Sequence, residues 1–237
     1  MYTVLLIVAI GIVGYTSLKG RTDYRKFEKK SSGMSLEKLY KTWVQDSWLL
    51  FGGFSLVTFL LIGIDRMVSP IARNTVELPS NINTDDIAGV ITGVVMGVIV
   101  VGLILFWKMR KSVQKSRDTV LSPLAPRSPK ERQLAPWVAI TAGITEETFY
   151  RGAMPWLVFL VSNDATYAIV ASVLLFGIEH LYQGWRGVVG TAFIGWLLMK
   201  LYLLTGTIAV PIVVHTLIDL YAFVVVPAIH RRASKSR

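Results

Sequence analysis

Long apolar runs separated by charged or turn-forming segments dominate the chain. They cover residues 2–18, 47–64, 88–107, 135–161, 165–182, 187–205 and 208–229. Each approaches the roughly 20 apolar residues that carry a helix across a bilayer core. The pattern predicts an all-α fold, a polytopic transmembrane helix bundle of about seven spans. Pro155 interrupts the fourth run, so a bend or break is expected there. A different pattern holds in "SLEKLYKTWV" (Ser35–Val44), where Leu36, Leu39, Tyr40, Trp43 and Val44 recur at helical spacing opposite Glu37, Lys38 and Lys41. It predicts a short helix lying on the cytoplasmic membrane surface. In the third run Gly89, Gly93 and Gly97 stand four apart, a stripe that permits close helix packing. "SPLAPRSPKERQLAP" (Ser122–Pro136) carries four prolines and reads as a linker. The expected division is an N-terminal three-span region 1–134, a four-span core 135–230 and a basic tail 231–237.

Charge turns these runs into a topology. Residues 19–46 carry eight Lys/Arg and four Asp/Glu, and 108–134 carry eight and two. Residues 65–87 reverse the balance, with two basic and four acidic. The tail holds Arg231, Arg232, Lys235 and Arg237. The positive-inside rule then places the N-terminus outside and the C-terminus in the cytoplasm. A net charge of +10 on 237 residues would suit nucleic acid, but the basic residues flank apolar runs, and none is expected as a partner. The first run lacks a basic leader and reads as a retained helix rather than a signal peptide. Cysteine is absent, which excludes disulfides, thiolate nucleophiles and Cys-type zinc sites.

Four carboxylates fall in apolar runs: Glu146, Glu147, Glu179 and Asp219. An ionised group at mid-bilayer costs about 2.5–3.5 kcal/mol even on lenient scales, so such groups mark function. Arg151, His180 and His215 lie in the same runs. Glu147 and Arg151 are four apart and can pair on one helix face. Glu146 points about 100° away from Glu147. His215 and Asp219 are also four apart, and Phe176 precedes His180 by four. Glu146, His180 and the His215/Asp219 pair are expected to converge on one cavity that opens inward. Taken singly, Glu179 reads as facing the cytoplasmic interface, Lys200 as snorkelling and Asp164 as a helix N-cap.

Such a set suffices for hydrolysing an amide. Glu146 can act as general base on a water, a histidine can share that water, and His215 with Asp219 can face a developing oxyanion. No serine or other nucleophile is poised beside a histidine. A second chemistry stays open: Glu146, His180 and His215 can hold zinc with a position left for water. The zinc signature HExxH is nevertheless absent.

These motifs resemble a known family. "EETFYR" (Glu146–Arg151) resembles its EExxxR motif, "FGIEH" (Phe176–His180) its FxxxH, and "HTLID" (His215–Asp219) its third motif. The chain resembles, over roughly 135–226, the CAAX-protease and bacteriocin-processing (CPBP, or Abi) intramembrane endopeptidases. The resemblance implies a glutamate-dependent, metal-free hydrolase with no cofactor, zinc being the alternative. It implies Glu146 as base, His180 holding the water, His215 and Asp219 at the oxyanion, and Glu147 with Arg151 ordering the first motif. Asp219 stands where the prenyl-protein proteases carry Asn; an ionised Asp cannot donate to an oxyanion, so Asp219 is expected instead to orient His215 as the main donor, and the case for a prenylated substrate is weaker. Implied partners are the bilayer and a membrane-associated protein or peptide, in a prokaryotic plasma membrane. Two other readings remain: a non-proteolytic scaffold regulating a partner protein, and a transporter or proton relay.

Overall fold

The computed structural model describes residues 1–29, 33–64, 66 and 123–235. The expected third span with its glycine stripe, and the charge-biased segments 67–87 and 108–122, lie outside the described residues. Among the described residues the elements are all helical: α1 (Tyr2–Glu28), α2 (Leu36–Asp46), α3 (Gly53–Ile62), α4 (Pro129–Glu147), α5 (Met154–Ser162), α6 (Ala165–Glu179), α7 (Gly184–Thr205), α8 (Ala209–Leu220) and α9 (Val226–Lys235). π-helical turns over Ser47–Gly52, Thr148–Ala153 and Tyr221–Val225 join α2 to α3, α4 to α5 and α8 to α9 without a break. Tyr2–Glu28, Leu36–Ile62, Leu181–Thr205 and Ala209–Ile229 are long and apolar enough to cross a membrane, and Ala165–Glu179 is a shorter apolar helix. Val4, Leu60, Tyr167, Trp185 and Val189 present large apolar side chains outward, as an integral membrane protein requires.

Several boundaries differ from the sequence pattern, each for a local reason. α1 runs ten residues past the apolar run, because Asp23 pairs with Lys19 at 3.1 Å and with Lys26 at 3.6 Å along the same helix. α4 begins at Pro129, inside the expected linker. Ser128 and Glu131 form a reciprocal capping box, and Pro129 sits where a helix needs no N–H. Pro155 does not break the helix. It follows the π turn directly, at the start of α5, where the ladder has already slipped by a residue. Asp164 caps α6, accepting from the Thr166 and Tyr167 amides.

The surface helix expected at Ser35–Val44 is not separate. It is α2, capped by Ser35 and running through the π turn into α3. Its apolar stripe packs on protein: Leu36, Leu39 and Tyr40 are buried among Tyr24, Leu124, Val138 and Phe223, and the Tyr40 hydroxyl donates to the Leu124 carbonyl. An amphipathic stripe shows that one face is covered, not by what. A second core joins Val13, Phe51, Phe149, Tyr150 and Phe176 behind the segment that follows the paired glutamates.

Candidate active site

Glu146 and Glu147 close α4, and helical geometry turns them to different surroundings. Glu147 is fully buried. Its Oε1 stands 3.0 Å from Arg151 Nη1 and 2.7 Å from His215 Nδ1. Arg151, 1 % exposed, also donates from Nη2 to the Gly195 carbonyl at 3.0 Å. Its guanidinium lies 4.5 Å over the Phe176 ring, a cation–π arrangement. One buried carboxylate therefore ties the first motif to α8 directly, and to α6 and α7 through Arg151.

Two glycines make these approaches possible. A Cβ on Gly143 would overlap the Thr216 side chain and lie 3.1 Å from the Ile212 carbonyl. α8 can therefore reach α4 closely enough for His215 to meet Glu147. A Cβ on Gly195 would lie 2.6 Å from the Phe176 ring, displacing the surface on which Arg151 rests.

Glu146 faces a cavity of about 290 Å³, which His180, His215 and Asp219 also line. Its Oε2 is buried with no hydrogen-bond partner among the described residues. His215 Nε2 lies 3.7 Å from Asp219 Oδ2, longer than a hydrogen bond. The Nδ1–H of His180 donates to the Phe176 carbonyl at 2.9 Å. A carbonyl can only accept, so the neutral ring keeps a lone pair on Nε2. The ring of Phe176 stands edge-on to His215, with centroids 5.8 Å apart. The structure thus gathers Glu146, Phe176, His180, His215 and Asp219 at one cavity, with Glu147 and Arg151 packed behind it.

Two relations were not anticipated from the spacing. His215 is held by Glu147, while Asp219, expected to orient it, stands farther off. Glu179 does not face the interface. Its Oε2 accepts from Thr16 Oγ1 at 2.7 Å and Ser17 Oγ at 3.1 Å, and it lines the cavity. The N-terminal helices also form wall. Lys19 reaches Asp46 at 2.5 Å and Asp23 at 3.1 Å, and all three border the same space. The adjacent Thr16 and Ser17 within an apolar run, and Lys19 four before Asp23, were the available signals. Residues of the π turns that continue α2 and α8, Ser47, Phe51, Ala222 and Phe223, border the cavity too, and such turns recur at functional sites.

Glu146, His180 and His215, the alternative zinc ligands, all line the cavity. Among the described residues no three His, Asp or Glu side chains are grouped as ligands of one ion. Each histidine has its Nδ1 engaged, His215 on Glu147 and His180 on a carbonyl, which leaves Nε2 as the ring nitrogen that can meet a ligand.

Residues 130–221 match the family of Rce1-like proteins, described as type II CAAX prenyl endopeptidases. The match holds all three motifs and bears out over that segment the family they resemble. Neither the curated proteins nor the solved structures gave a match.

Proposed function

We propose that this protein is an intramembrane endopeptidase that cuts a membrane-associated protein or peptide with a water activated by Glu146. The observation that carries the reading is the division of labour between adjacent glutamates. Each keeps one buried oxygen without a hydrogen-bond partner among the described residues, but Glu147 spends its other oxygen on Arg151 and His215 and does not line the cavity, whereas Glu146 lines the cavity that two histidines share. A water against Glu146 would give it a proton as its oxygen attacks the scissile carbonyl. The Nε2 lone pair of His180 can accept the water's other hydrogen. His215 has one N–H committed to Glu147. As an imidazolium it donates the other, on Nε2, to the oxyanion. Glu146 then returns its proton to the departing amine, and the proton left on the new acid passes to the His180 Nε2 lone pair, leaving a carboxylate and an amine as products. The topology that goes with this reading has seven spans, the N-terminus outside, and the cavity open toward the cytoplasm.

The test compares protein termini in the membranes of cells carrying wild-type or Glu146→Gln protein. A defined set of cleavage-generated termini disappears in the variant. A purified preparation loses about 10²–10⁴ in rate, the usual worth of a general base. An unchanged set of termini together with full turnover by purified Glu146→Gln protein refutes the reading.

A further inference from the structure

Two rings and two hydroxyls from α1 and α2 close on the segment around His180, and the hydrolytic set leaves them unused. His180 stands just past the end of α6, where a helix runs out of its own bonds and frays. Its backbone N–H reaches back only three residues, to the Gly177 carbonyl at 3.1 Å. Its own helix steadies the ring through the Phe176 carbonyl and the Phe176 ring, whose centroid is 5.0 Å away. The 3₁₀ turn Leu181–Gln183 then brings Tyr182 against it, with centroids 6.0 Å apart and planes inclined by 34°. Tyr182 is itself held. Tyr24 of α1 lies 5.6 Å from its ring and Trp43 of α2 5.4 Å, and Gln183 Nε2 donates to its hydroxyl at 2.9 Å. Trp43, His180, Tyr182 and Gln183 all line the cavity. Ring pairs at such distances hold one another beyond what their buried area supplies.

A second, independent grip holds the residue that precedes the histidine. Glu179 Oε2 accepts from Thr16 Oγ1 at 2.7 Å and from Ser17 Oγ at 3.1 Å. Thr16 and Tyr24 stand about two turns apart on α1, so one helix fastens the chain just before and just after His180. α1 and α2 lie wholly ahead of the family-matched segment 130–221 and carry none of the three motifs. We infer that Tyr182, backed by Tyr24 and Trp43, is a positioning residue for His180, and that α1 and α2 thereby complete the site from outside the matched segment. The work given to His180 rests on the endopeptidase reading; the hold on its ring does not.

Full-length protein in lipid nanodiscs, with isotopically labelled histidine nitrogens, gives two readouts. One is turnover per folded molecule on a peptide spanning a terminus that disappears with Glu146→Gln. The other is the magnetic-resonance signals of the His180 ring nitrogens, assigned by their loss in His180→Ala. In the wild type a protonated Nδ1 and a bare Nε2 give separate signals. Tyr182→Leu is expected to draw them together as the ring changes rotamer and tautomer, and to lower kcat about ten- to a hundredfold with little change in KM. Tyr182→Phe, which keeps the ring, restores both. Trp43→Leu moves both in the direction of Tyr182→Leu, and carries the decision if that variant does not fold. A side chain that only supported the fold would reduce the amount of folded protein and leave the remainder with wild-type His180 signals and kcat; that outcome overturns the inference. So does a Tyr182→Phe protein as impaired as Tyr182→Leu. The histidine signals need no turnover. If the wild type cleaves nothing, the proteolytic reading falls, and the signals still decide whether Tyr182 holds His180.

Discussion

Removing the Arg151 guanidinium separates the structural and chemical roles of the first motif. Arg151→Met keeps much of the side-chain volume over Phe176 but deletes the charge. Glu147 is then left fully buried with His215 as its one close polar contact among the described residues. The Gly195 carbonyl also loses its donor. Breaking a buried ion pair by deleting one partner costs about 3–5 kcal/mol, or roughly two to three and a half decades in the folding equilibrium. Replacing both charges with apolar groups of similar volume is often near neutral. Glu147→Leu/Arg151→Met is therefore expected to recover most of the stability lost by Arg151→Met alone. Activity should follow another course: the double variant has no carboxylate for His215 Nδ1, so it stays inactive although folded. Unfolding in detergent micelles, followed by tryptophan fluorescence, measures stability, and turnover is read on the same preparations. Arg151→Met within about 1 kcal/mol of wild type would show that the buried pair does not hold these helices. A double variant with full activity would refute the positioning of His215 by Glu147.

Gly143→Leu forces a side chain into Thr216 and the Ile212 carbonyl. Overpacking of this kind costs about 1–3 kcal/mol, and by parting α4 from α8 it should lower turnover more than any change at exposed Lys200. Activity is expected to survive exhaustive chelation, and elemental analysis decides the matter: one zinc per chain, with activity returning only on adding zinc, would replace the Glu146-held water. Single cysteines introduced into this Cys-free chain test the topology. A cysteine at residue 80 should label from outside and one at residue 30 from inside, and labelling of residue 80 from inside alone reverses the orientation.

The spans were legible where an apolar run coincides with the helix, as at 187–205 against Gly184–Thr205. They were less so where charge pairs or caps extend the helix. Lys19, Asp23 and Lys26 look like loop by hydropathy and lengthen α1 by pairing along it. Ser128 and Glu131 look like part of a proline-rich linker and instead start α4. Hydropathy averages over the few residues whose individual bonds decide an end. The stripe on α2 failed differently: periodicity revealed the covered face, but Tyr24, Leu124 and Phe223, which cover it, are distant in sequence.

The same limit of locality separates what could be read of the site from what could not. Contacts within one helix follow from spacing: Glu147 with Arg151 needed only the interval of four. The opposed directions of Glu146 and Glu147 needed only the helical turn. Contacts between helices do not follow, because residues four apart offer two faces and the sequence does not say which neighbour each meets. Asp219, four residues on and unable as an ionised group to donate to an oxyanion, reads from the sequence as orienting His215. The closer carboxylate is Glu147, 68 positions away, brought there by a glycine whose role appears only when α4 and α8 pack. Glu179 shows the same effect in reverse. Alone on α6 it resembles an interfacial charge, and two hydroxyls from α1 make it part of the wall. In a bundle where lipid solvates none of these groups, every buried polar atom must find its partner on another helix or in the cavity. Of the buried polar atoms left without one among the described residues, Glu146 Oε2 is the one whose residue lines the cavity, and it is accordingly there that a water should be sought.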